Sequence, residues 1–379
     1  MEPGYDVPAS IGMAEVDVQT PALIVDMDAF DHNLKVMRGI AAASGLRLRV
    51  HSKTHKSVDI ALAQMSRGGA VGICCQKVSE AEAMVRAGLN AGPHTDLCDI
   101  MVSNQVRGAA RVARLARLAG QADMSVCVDD VEGVAELSRA CHSAGTQLTV
   151  LVEIEVGQKR CGVQPHDAAR LAGAILAAPN LHFGGLQAYN GAAQHQTLET
   201  ERAEMMGNVT AAVREALAAL DAAGIHCPCV TGAGSGSYPA EASSGLYTEL
   251  QCGSYIFMDA DYRARGGPGV EPFRHALFVL SEVMSTAVPG RATCDAGLKS
   301  MSMESGVPTV WGRTDVSYDQ PSDEHGGLAD PLNMLRVGDQ LRLVPGHCDP
   351  TCNLHDWYVG IRDGRVECLW PVTARGKLW

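Results

Sequence analysis

Leu48-Arg-Val-His-Ser-Lys-Thr-His-Lys56 is the stretch around which the rest of the chain is organised. A strand-like, partly apolar run ends here in a cluster of basic side chains, His51, Lys53, His55 and Lys56. Reactive groups of a barrel enzyme lie where its strands end, so Lys53 is the candidate for a reactive amine. The neighbouring cations and partial burial are expected to lower the pKa of Lys53. The alternative is a solvated basic loop, because local sequence does not fix the direction of a side chain.

Apolar runs with the character of strands recur along the chain and alternate with alanine-rich helical patterns. The predicted barrel strands are 46–51, 70–75, 99–103, 124–128, 148–153, 183–189, 227–231 and 250–255. The predicted helices between them include 79–87, 105–118, 131–144, 165–178 and 197–223. About eight strands that alternate with helices indicate an α/β fold, the closed (β/α)8 or TIM barrel. An open doubly wound sheet is the alternative.

The sequence pattern changes at about residue 263, where long helical patterns end and strand patterns follow one another. Predicted strands lie at 22–26, before the barrel, and at 276–285, 292–296, 309–312, 340–344 and 356–362, after it. A hairpin is expected at Asp363-Gly364. We therefore predict a barrel domain over 23–262 and an all-β domain over 263–379, joined by residues 1–22.

Composition limits the classes of function. The chain has 379 residues, of which 46% are hydrophobic and 20% charged, as in an ordinary globular protein. A net charge of -12 without any basic block argues against nucleic acid as a partner. No stretch approaches the roughly 18 apolar residues of a membrane span, and the 13 cysteines are spread along the chain as expected for reduced thiols. These features predict a cytoplasmic protein that acts on a small molecule.

Thr231-Gly-Ala-Gly-Ser-Gly-Ser-Tyr238 follows the seventh predicted barrel strand. Closely spaced glycines let backbone N–H groups converge on an anion, and phosphate sites of barrels recur in the last loops. We therefore predict a phosphate site, completed after the eighth strand. Its predicted members are Thr231, Gly234, Ser235, Gly236, Gly253, Ser254 and Tyr255. An ordinary Gly/Ser loop is the alternative.

Val344-Pro-Gly-His-Cys-Asp-Pro-Thr-Cys352 in the β domain is the second candidate site. Residues two apart in an extended segment point to the same side, so His347 and Asp349 are predicted to bind one ion while Cys348 faces away. One imidazole with one carboxylate favours Mg²⁺ or Mn²⁺. Alternatively, the cysteines of this segment offer thiolates to zinc.

Several motifs together resemble those of a known family. They are Thr20-Pro-Ala-Leu-Ile-Val-Asp26, His51-Ser-Lys-Thr-His-Lys56, Gly72-Ile-Cys-Cys-Gln-Lys-Val-Ser-Glu-Ala81 and His347-Cys-Asp-Pro-Thr351. The combination resembles the D-threonine aldolase, D-3-hydroxyaspartate aldolase and D-serine dehydratase family of fold type III pyridoxal phosphate enzymes. The resemblance covers nearly the whole chain. It implies that Lys53, rather than its neighbour Lys56, forms the Schiff base with pyridoxal phosphate.

The resemblance also implies roles for other residues. Arg160 would lie beside the phenolic oxygen of the cofactor, and Tyr189 would pack on its ring. Gln251 stands where racemases carry an arginine that faces the pyridine nitrogen, and His195 matches a base that acts on the β-hydroxyl of the substrate. Each of these residues also has an alternative role. Arg160 could be a surface cation, Gln251 could make a hydrogen bond at a strand end, and His195 could be a structural histidine. Dehydratase relatives have cysteine in place of Asp349, which favours an aldolase.

The function implied is a metal-dependent aldolase acting on a β-hydroxy-D-amino acid. The run 347–359 most resembles enzymes that cleave D-3-hydroxyaspartate to glycine and glyoxylate. D-threonine as substrate, a dehydratase and a non-catalytic carrier of pyridoxal phosphate are the alternatives, and residues 263–379 speak against the carrier. A homodimer is expected, with the partner's β domain completing the site. Candidates to bind a second carboxylate of the substrate are Arg49, His51, Arg263 and His325.

Overall fold

The structure, a computed structural model, describes residues 1–89 and 97–379. Its first part contains the following elements in chain order: β1 (Ala22–Asp26), α1 (Met27–Ser44), β2 (Arg47–His51), α2 (Val58–Ser66), β3 (Gly72–Cys75), α3 (Val78–Arg86), β4 (Asp99–Gln105), α4 (Ala109–Leu118), β5 (Asp123–Val128), α5 (Val131–Ala144), β6 (Leu148–Glu153), α6 (Ala168–Ala177), β7 (Leu181–Ala188), α7 (Glu199–Ala222), β8 (Val230–Gly232), α8 (Tyr238–Ser243), β9 (Glu249–Leu250) and α9 (Ala260–Arg265).

The second part consists mainly of strands. Its elements are β10 (Leu277–Ser285), β11 (Arg291–Cys294), β12 (Thr309–Val310), β13 (Ser317–Pro321), β14 (Gly326–Ala329), β15 (Gln340–Val344), α10 (Cys348–Cys352), β16 (Trp357–Arg362) and β17 (Arg365–Pro371). No helix among residues 1–89 and 97–379 is both long enough and apolar enough to cross a membrane.

Strands β2 to β9 close into a barrel in chain order, and each pairs in parallel with its neighbours. The predicted (β/α)8 barrel is confirmed, and the open doubly wound sheet is wrong. Arg49 on β2 ties three of these strands together, since its guanidinium lies 2.8 Å from Glu249 on β9 and 2.6 Å from Asp99 on β4. These buried ion pairs lock the register at which the barrel closes.

Local capping explains why some helices were predicted with correct limits. Helix α5 begins after Asp130, whose carboxylate accepts a hydrogen bond from Gly133 N at 2.8 Å. It ends at Gly145, which adopts the left-handed conformation with φ 66°. An acidic N-cap and a glycine C-cap are short-range signals that a sequence carries openly. The prediction of a helix over 131–144 is confirmed.

The N-terminal strand β1 does not belong to the barrel. It lies in the nine-stranded sheet of the β domain, where it pairs antiparallel with β10 and parallel with β16. The prediction of a strand over residues 22–26 is confirmed, but its partners come from the far end of the chain. The domain limits at 23–262 and 263–379 stay a prediction, and this pairing attaches residues 22–26 to the β domain.

Two predicted segments have a different local structure. The eighth barrel strand contains only Glu249–Leu250, and residues 254–256 form a 3-10 helix instead of continuing the strand to 255. The segment around His347 is not extended, because α10 begins at Cys348. The N–H groups of the first helical turn have no partner within the helix. Pro350, which has no N–H, is therefore compatible with this position.

The β domain packs against the end of β2. Tyr358 donates its hydroxyl to the carbonyl of His55 at 2.6 Å, and Ala374 N donates to the carbonyl of Lys56 at 2.8 Å. On a second side, Ala260 N and Asp261 N of α9 donate to the carbonyls of Pro345 and Gly346. These contacts bring α10 over the C-terminal ends of the barrel strands.

Candidate active site

A cavity of about 440 Å³ lies at the C-terminal ends of the barrel strands. Its lining combines the predicted amine with residues from the last barrel loops and from the β domain. Lys53, Arg160, Tyr189, His195, Ser235 and His347 are among the side chains that line it. This is the size of a small-molecule site with several polar groups.

Lys53 stands on a 3-10 turn, Ser52–Thr54, directly after β2. Its Nζ lies 2.6 Å from Asp349 Oδ2, and 37% of its side chain is exposed. Burial lowers the pKa of Lys53, but the charge and hydrogen bond of Asp349 outweigh burial, so the pKa is raised. The expectation of a lowered pKa is therefore wrong for this arrangement, because the nearest charge is an anion rather than a cation.

The other basic residues of the same stretch have separate environments. His51 lines the cavity, and its Nε2 lies 3.0 Å from Ser103 Oγ. Burial lowers the pKa of His51 well below its ordinary range. His55 is buried against Gln64, and burial lowers its pKa to about 4. Lys56 is not among the described residues that line the cavity, which leaves Lys53 as the amine of the site.

The Gly/Ser loop after β8 curves along one wall of the cavity. Ala233 has φ 75°, which turns the chain, and Gly236 N donates to Gln194 Oε1 at 2.7 Å. Gly234 and Ser235 line the cavity, as do Gly253 and Ser254 after β9. Residues 233–235 after β8 and Gly253 and Ser254 after β9 thus form this part of the cavity lining.

Three residues predicted for the phosphate site, Thr231, Gly236 and Tyr255, are not among the described lining residues. Thr231 Oγ1 donates to Glu249 and accepts from Gln251 Nε2, both at 2.9 Å. Tyr255 donates its backbone N–H to Ser235 Oγ at 2.8 Å, and its hydroxyl accepts from Gln64. The polar groups of Thr231 and Tyr255 thus make hydrogen bonds within the protein. The hydrogen bond from Tyr255 N to Ser235 supports the loop.

A buried acid lies beneath the Gly/Ser loop. Glu241 on α8 accepts a hydrogen bond from Ser237 Oγ at 2.9 Å, and Ser237 Oγ in turn accepts from Gly234 N at 3.2 Å and from Gln194 Nε2. The other carboxyl oxygen of Glu241 is buried and has no hydrogen-bond partner among the described residues. Burial raises the pKa of Glu241 to about 7.

Arg160, Tyr189 and Gln251 line the cavity together. The Arg160 guanidinium lies 6.0 Å from the centre of the Tyr189 ring and 3.9 Å from Glu153 Oε1. Gln251 Nε2 donates to Gln187 Oε1 at 2.8 Å and to Thr231 Oγ1 at 2.9 Å, and Gln251 Oε1 accepts from Gln187 Nε2 at 3.0 Å. Gln251 Nε2 also lies 3.4 Å from Met101 Sδ in the apolar cluster below the cavity. The cavity therefore carries a half-exposed cation on one wall and a fixed neutral amide on another.

His347 and Asp349 do not lie in one extended segment, because α10 begins at Cys348 between them. His347 lines the cavity, while Asp349 contacts Lys53. Burial lowers the pKa of His347, but the hydrogen bond that His347 donates to Asp259 and the charges of Asp349 and Asp259 raise it to about 9. Burial raises the pKa of Asp349, but the charges of Lys53 and His347 have the larger effect. The pKa of Asp349 is therefore lowered overall.

Two acidic residues that the sequence analysis missed hold the histidines of the cavity. Asp259 Oδ2 lies 2.8 Å from His347 Nδ1, and Asp261 Oδ2 lies 3.2 Å from His195 Nδ1. The only local signal is the pattern Asp259-Ala-Asp261 at a predicted end of the barrel domain. Asp259 and His347 are 88 residues apart, and Asp261 and His195 are 66 residues apart, so no local pattern identifies these pairs.

A barrel of this kind, with a lysine at the end of its first strand and a Gly/Ser loop after its seventh, is that of the fold type III pyridoxal phosphate enzymes. The chain matches the alanine racemase N-terminal domain family over residues 25–261 and the serine dehydratase domain family over residues 276–361.

Individual relatives narrow the class. The chain is 51% identical to 3-hydroxy-D-aspartate aldolase of Paracoccus denitrificans (strain Pd 1222), over 99% of this chain and 97% of the relative. It is 45% identical to D-threonine aldolase of Arthrobacter sp., over 97% of this chain and 96% of the relative. The crystal structure of D-threonine aldolase from Filomicrobium marinum matches with a TM-score of 0.94 at 45% identity, over 98% of this chain and 100% of that one. The chain belongs to the family of these pyridoxal phosphate-dependent aldolases, which are lyases.

The residues of the cavity fit pyridoxal phosphate. Lys53 offers a primary amine to the aldehyde, and the Gly/Ser loop offers hydroxyl and backbone donors to the phosphate. A Cβ atom at Gly234 would lie 2.5 Å from Gln194 Cδ, and one at Gly253 would lie 2.6 Å from Thr54 Oγ1. Glycine is thus needed where the backbone approaches the cavity this closely.

Proposed function

We propose that this protein is a pyridoxal phosphate- and divalent metal-dependent aldolase that cleaves D-3-hydroxyaspartate to glycine and glyoxylate. The observation that carries the proposal is the 2.6 Å contact between Lys53 and Asp349. It brings a candidate metal ligand of the β domain to the reactive amine of the barrel. The 51% identity to a 3-hydroxy-D-aspartate aldolase supports the choice of substrate.

Lys53 would hold the cofactor, with the phosphate at Gly234, Ser235 and Ser254. Pyridoxal phosphate, when bound, supplies an acceptor for the electron pair that remains on Cα after the Cα–Cβ bond breaks. Arg160 offers a permanent cation to the phenolic oxygen. Gln251 faces the ring with a neutral amide whose orientation Gln187 and Thr231 fix.

His347 and Asp349 would hold the metal, which supplies a Lewis acid for the β-hydroxyl. One imidazole and one carboxylate suit Mg²⁺ or Mn²⁺, although zinc binds such ligands more tightly. Asp349 contacts the Lys53 ammonium in the structure. The carboxylate would bind the metal ion in place of this contact.

His195 would take the proton of the β-hydroxyl. Its Nδ1 contacts Asp261, so its Nε2 is the nitrogen available to the substrate. The ring is half-exposed at the edge of the cavity, with 57% of its side chain accessible. A base at the rim can pass its proton to water between turnovers, as general base catalysis requires.

The structure separates the candidates for binding the second carboxylate. Arg49 is buried in ion pairs with Asp99 and Glu249, and the Arg263 guanidinium donates to the carbonyl of Phe273 at 2.5 Å. His325 is exposed on the β domain, whereas His51 lines the cavity beside Ser103. We assign the second carboxylate to His51 on this basis. His51→Ala should then raise KM for D-3-hydroxyaspartate more than for D-threonine.

A homodimer remains part of the proposal, but the expected reason for it is wrong. The partner's β domain was expected to supply the metal pair, whereas Asp349 reaches Lys53 within one chain. Support for a dimer comes from exposed apolar side chains on the β domain, among them Leu332, Met334 and Val337. Light scattering that finds a fully active monomer would exclude it. A cytoplasmic location, where the cysteines stay reduced, is also proposed.

A product assay tests the proposed reaction. The purified enzyme with Mn²⁺ is given D-3-hydroxyaspartate, D-threonine and D-serine in parallel. We expect glyoxylate from the first substrate, at a higher kcat/KM than acetaldehyde from the second. Faster release of acetaldehyde would identify a D-threonine aldolase, and an oxo acid with ammonia would identify a dehydratase. Chelation should stop cleavage while the protein stays yellow, and activity that survives chelation would refute the metal mechanism.

A further inference from the structure

Asp259, at the N-terminus of α9, is a fully buried acid next to the metal segment. None of its side chain is exposed to solvent. Its Oδ1 accepts from Tyr262 N at 2.9 Å. Its Oδ2 lies 2.8 Å from His347 Nδ1 and accepts from Cys348 N at 3.0 Å. Both carboxylate oxygens are therefore occupied by N–H groups.

Backbone hydrogen bonds fix the same contact from the other side. Ala260 N donates to the carbonyl of Pro345, and Asp261 N donates to that of Gly346, each at 3.0 Å. Residues 259–261 and 345–348 are thus joined by four hydrogen bonds. This connection holds the His347 ring relative to the barrel without using the face of the ring that lines the cavity.

We propose that Asp259 is a positioning residue, which keeps the proton of His347 on Nδ1 and presents Nε2 to the divalent ion. The inference rests on the proposed function, because it deepens the metal site of the aldolase. A metal-bound histidine needs an unprotonated ligand nitrogen, and a carboxylate at the other nitrogen fixes the tautomer and the orientation of the ring.

A different arrangement of the same residues would make Asp259 a ligand. One ligand atom each from Asp259, His347 and Cys348 lies within 4.8 Å of the others. However, the described residues that line the cavity include His347 but neither Asp259 nor Cys348. This observation favours positioning over ligation.

Asp261 provides a matched comparison on the same short helix. Its Oδ2 lies 3.2 Å from His195 Nδ1, and its Oδ1 lies 3.1 Å from Arg265. It stands two residues from Asp259 and holds a different histidine of the same cavity. A substitution of Asp261 therefore changes the charge nearby on the same helix, while Asp259 stays as its N-cap and as the partner of His347.

The experiment measures Mn²⁺ binding to the pyridoxal phosphate-loaded protein by the electron paramagnetic resonance signal of free Mn²⁺. Asp259→Asn removes the negative charge beside Nδ1 and leaves one acceptor oxygen in place of two, so the acceptor is lost either for Tyr262 N or for His347 Nδ1 and Cys348 N. We expect Mn²⁺ affinity to fall by about 10- to 100-fold. Asp261→Asn and Cys348→Ser should stay within about threefold of wild type, since neither group touches Nε2.

The outcomes separate the possibilities. Wild-type affinity in Asp259→Asn overturns the positioning role, and an equal loss in Cys348→Ser shows that the ion lies on the Asp259, His347 and Cys348 group. If the wild type binds no Mn²⁺, both this inference and the metal in the proposed function fail. If Asp259→Asn does not fold, ¹⁵N NMR of the Mg²⁺-saturated wild type decides. A protonated Nδ1 of His347 supports the role, and an unprotonated Nδ1 overturns it.

Discussion

Replacement of Glu241 by glutamine removes a titrating group from beneath the Gly/Ser loop while keeping the shape of the side chain. The acid is buried and shares one hydrogen bond with Ser237, and this burial raises its pKa from 4.5 to about 7. The folded protein therefore binds a proton that the unfolded chain releases above pH 4.5. The stabilisation by this proton is complete below that pH and is lost as pH rises towards 7.

The size of the effect follows from the two pKa values. Between pH 4.5 and 7 the free energy of unfolding of the wild type should fall by about 1.4 kcal/mol per pH unit through this group. The total is about 3 kcal/mol, of which about 2.5 kcal/mol falls between pH 5 and pH 8. Glu241→Gln cannot titrate, so it should lie within about 1 kcal/mol of the wild type at pH 5 and be more stable than the wild type by about 3 kcal/mol at pH 8.

Urea unfolding of the cofactor-free proteins, followed by circular dichroism at several pH values, measures this difference. Titrations shared by the two proteins cancel in the comparison. Glu271→Gln, which replaces an exposed acid, is the control and should run parallel to the wild type. Curves for wild type and Glu241→Gln that stay parallel from pH 5 to pH 8 would show that Glu241 ionises normally, and the argument from burial would fail.

Three further changes test the site. Lys53→Ala should lose both the visible absorbance and the activity while Lys56→Ala keeps them; a borohydride-reducible adduct that survives only in Lys53→Ala would contradict this assignment. Asp349→Cys should shift metal preference from Mg²⁺ or Mn²⁺ towards zinc and slow cleavage, so wild-type activity with Mg²⁺ dependence would refute Asp349 as a hard ligand. Gly234→Ala should weaken cofactor retention in fluorescence titrations, because its Cβ would lie 2.5 Å from Gln194, whereas Gly39→Ala, with open space around it, should bind as wild type does.

The parts of the fold that were predicted correctly depend on short-range patterns. Helix α5 is bounded by Asp130 and Gly145, and strand β15 alternates as expected over 340–344. The eighth barrel strand was predicted over 250–255, but the strand ends at Leu250, where the chain continues as Gln-Cys-Gly-Ser-Tyr. In the fold, Gln251 turns its amide into the cavity and Ser254 begins a 3-10 helix. A polar lining overrides strand propensity there.

Contacts between distant residues explain most of what the sequence did not reveal. The pKa of Lys53 was expected to fall because its neighbours in sequence are cations, but the group that decides it is Asp349, 296 residues away. His347 and Asp349 are two residues apart, which fits the alternation of an extended strand. A segment of only three residues, however, can equally be the start of a helix. Asp259 was overlooked because nothing near it in the sequence shows that it meets His347.

Strand β1 gives the molecule a constraint on the order of its synthesis. Residues 22–26 leave the ribosome early, but their partners are β10 at 277–285 and β16 at 357–362. At roughly 5 to 20 residues per second, the about 335 residues between Asp26 and Ile361 take on the order of 15 to 70 s to translate. Both edges of this apolar segment stay unpaired until β10 is made, and the edge that pairs with β16 stays unpaired after all the barrel strands have been synthesised. A nascent chain of this protein therefore presents a ready binding site for chaperones.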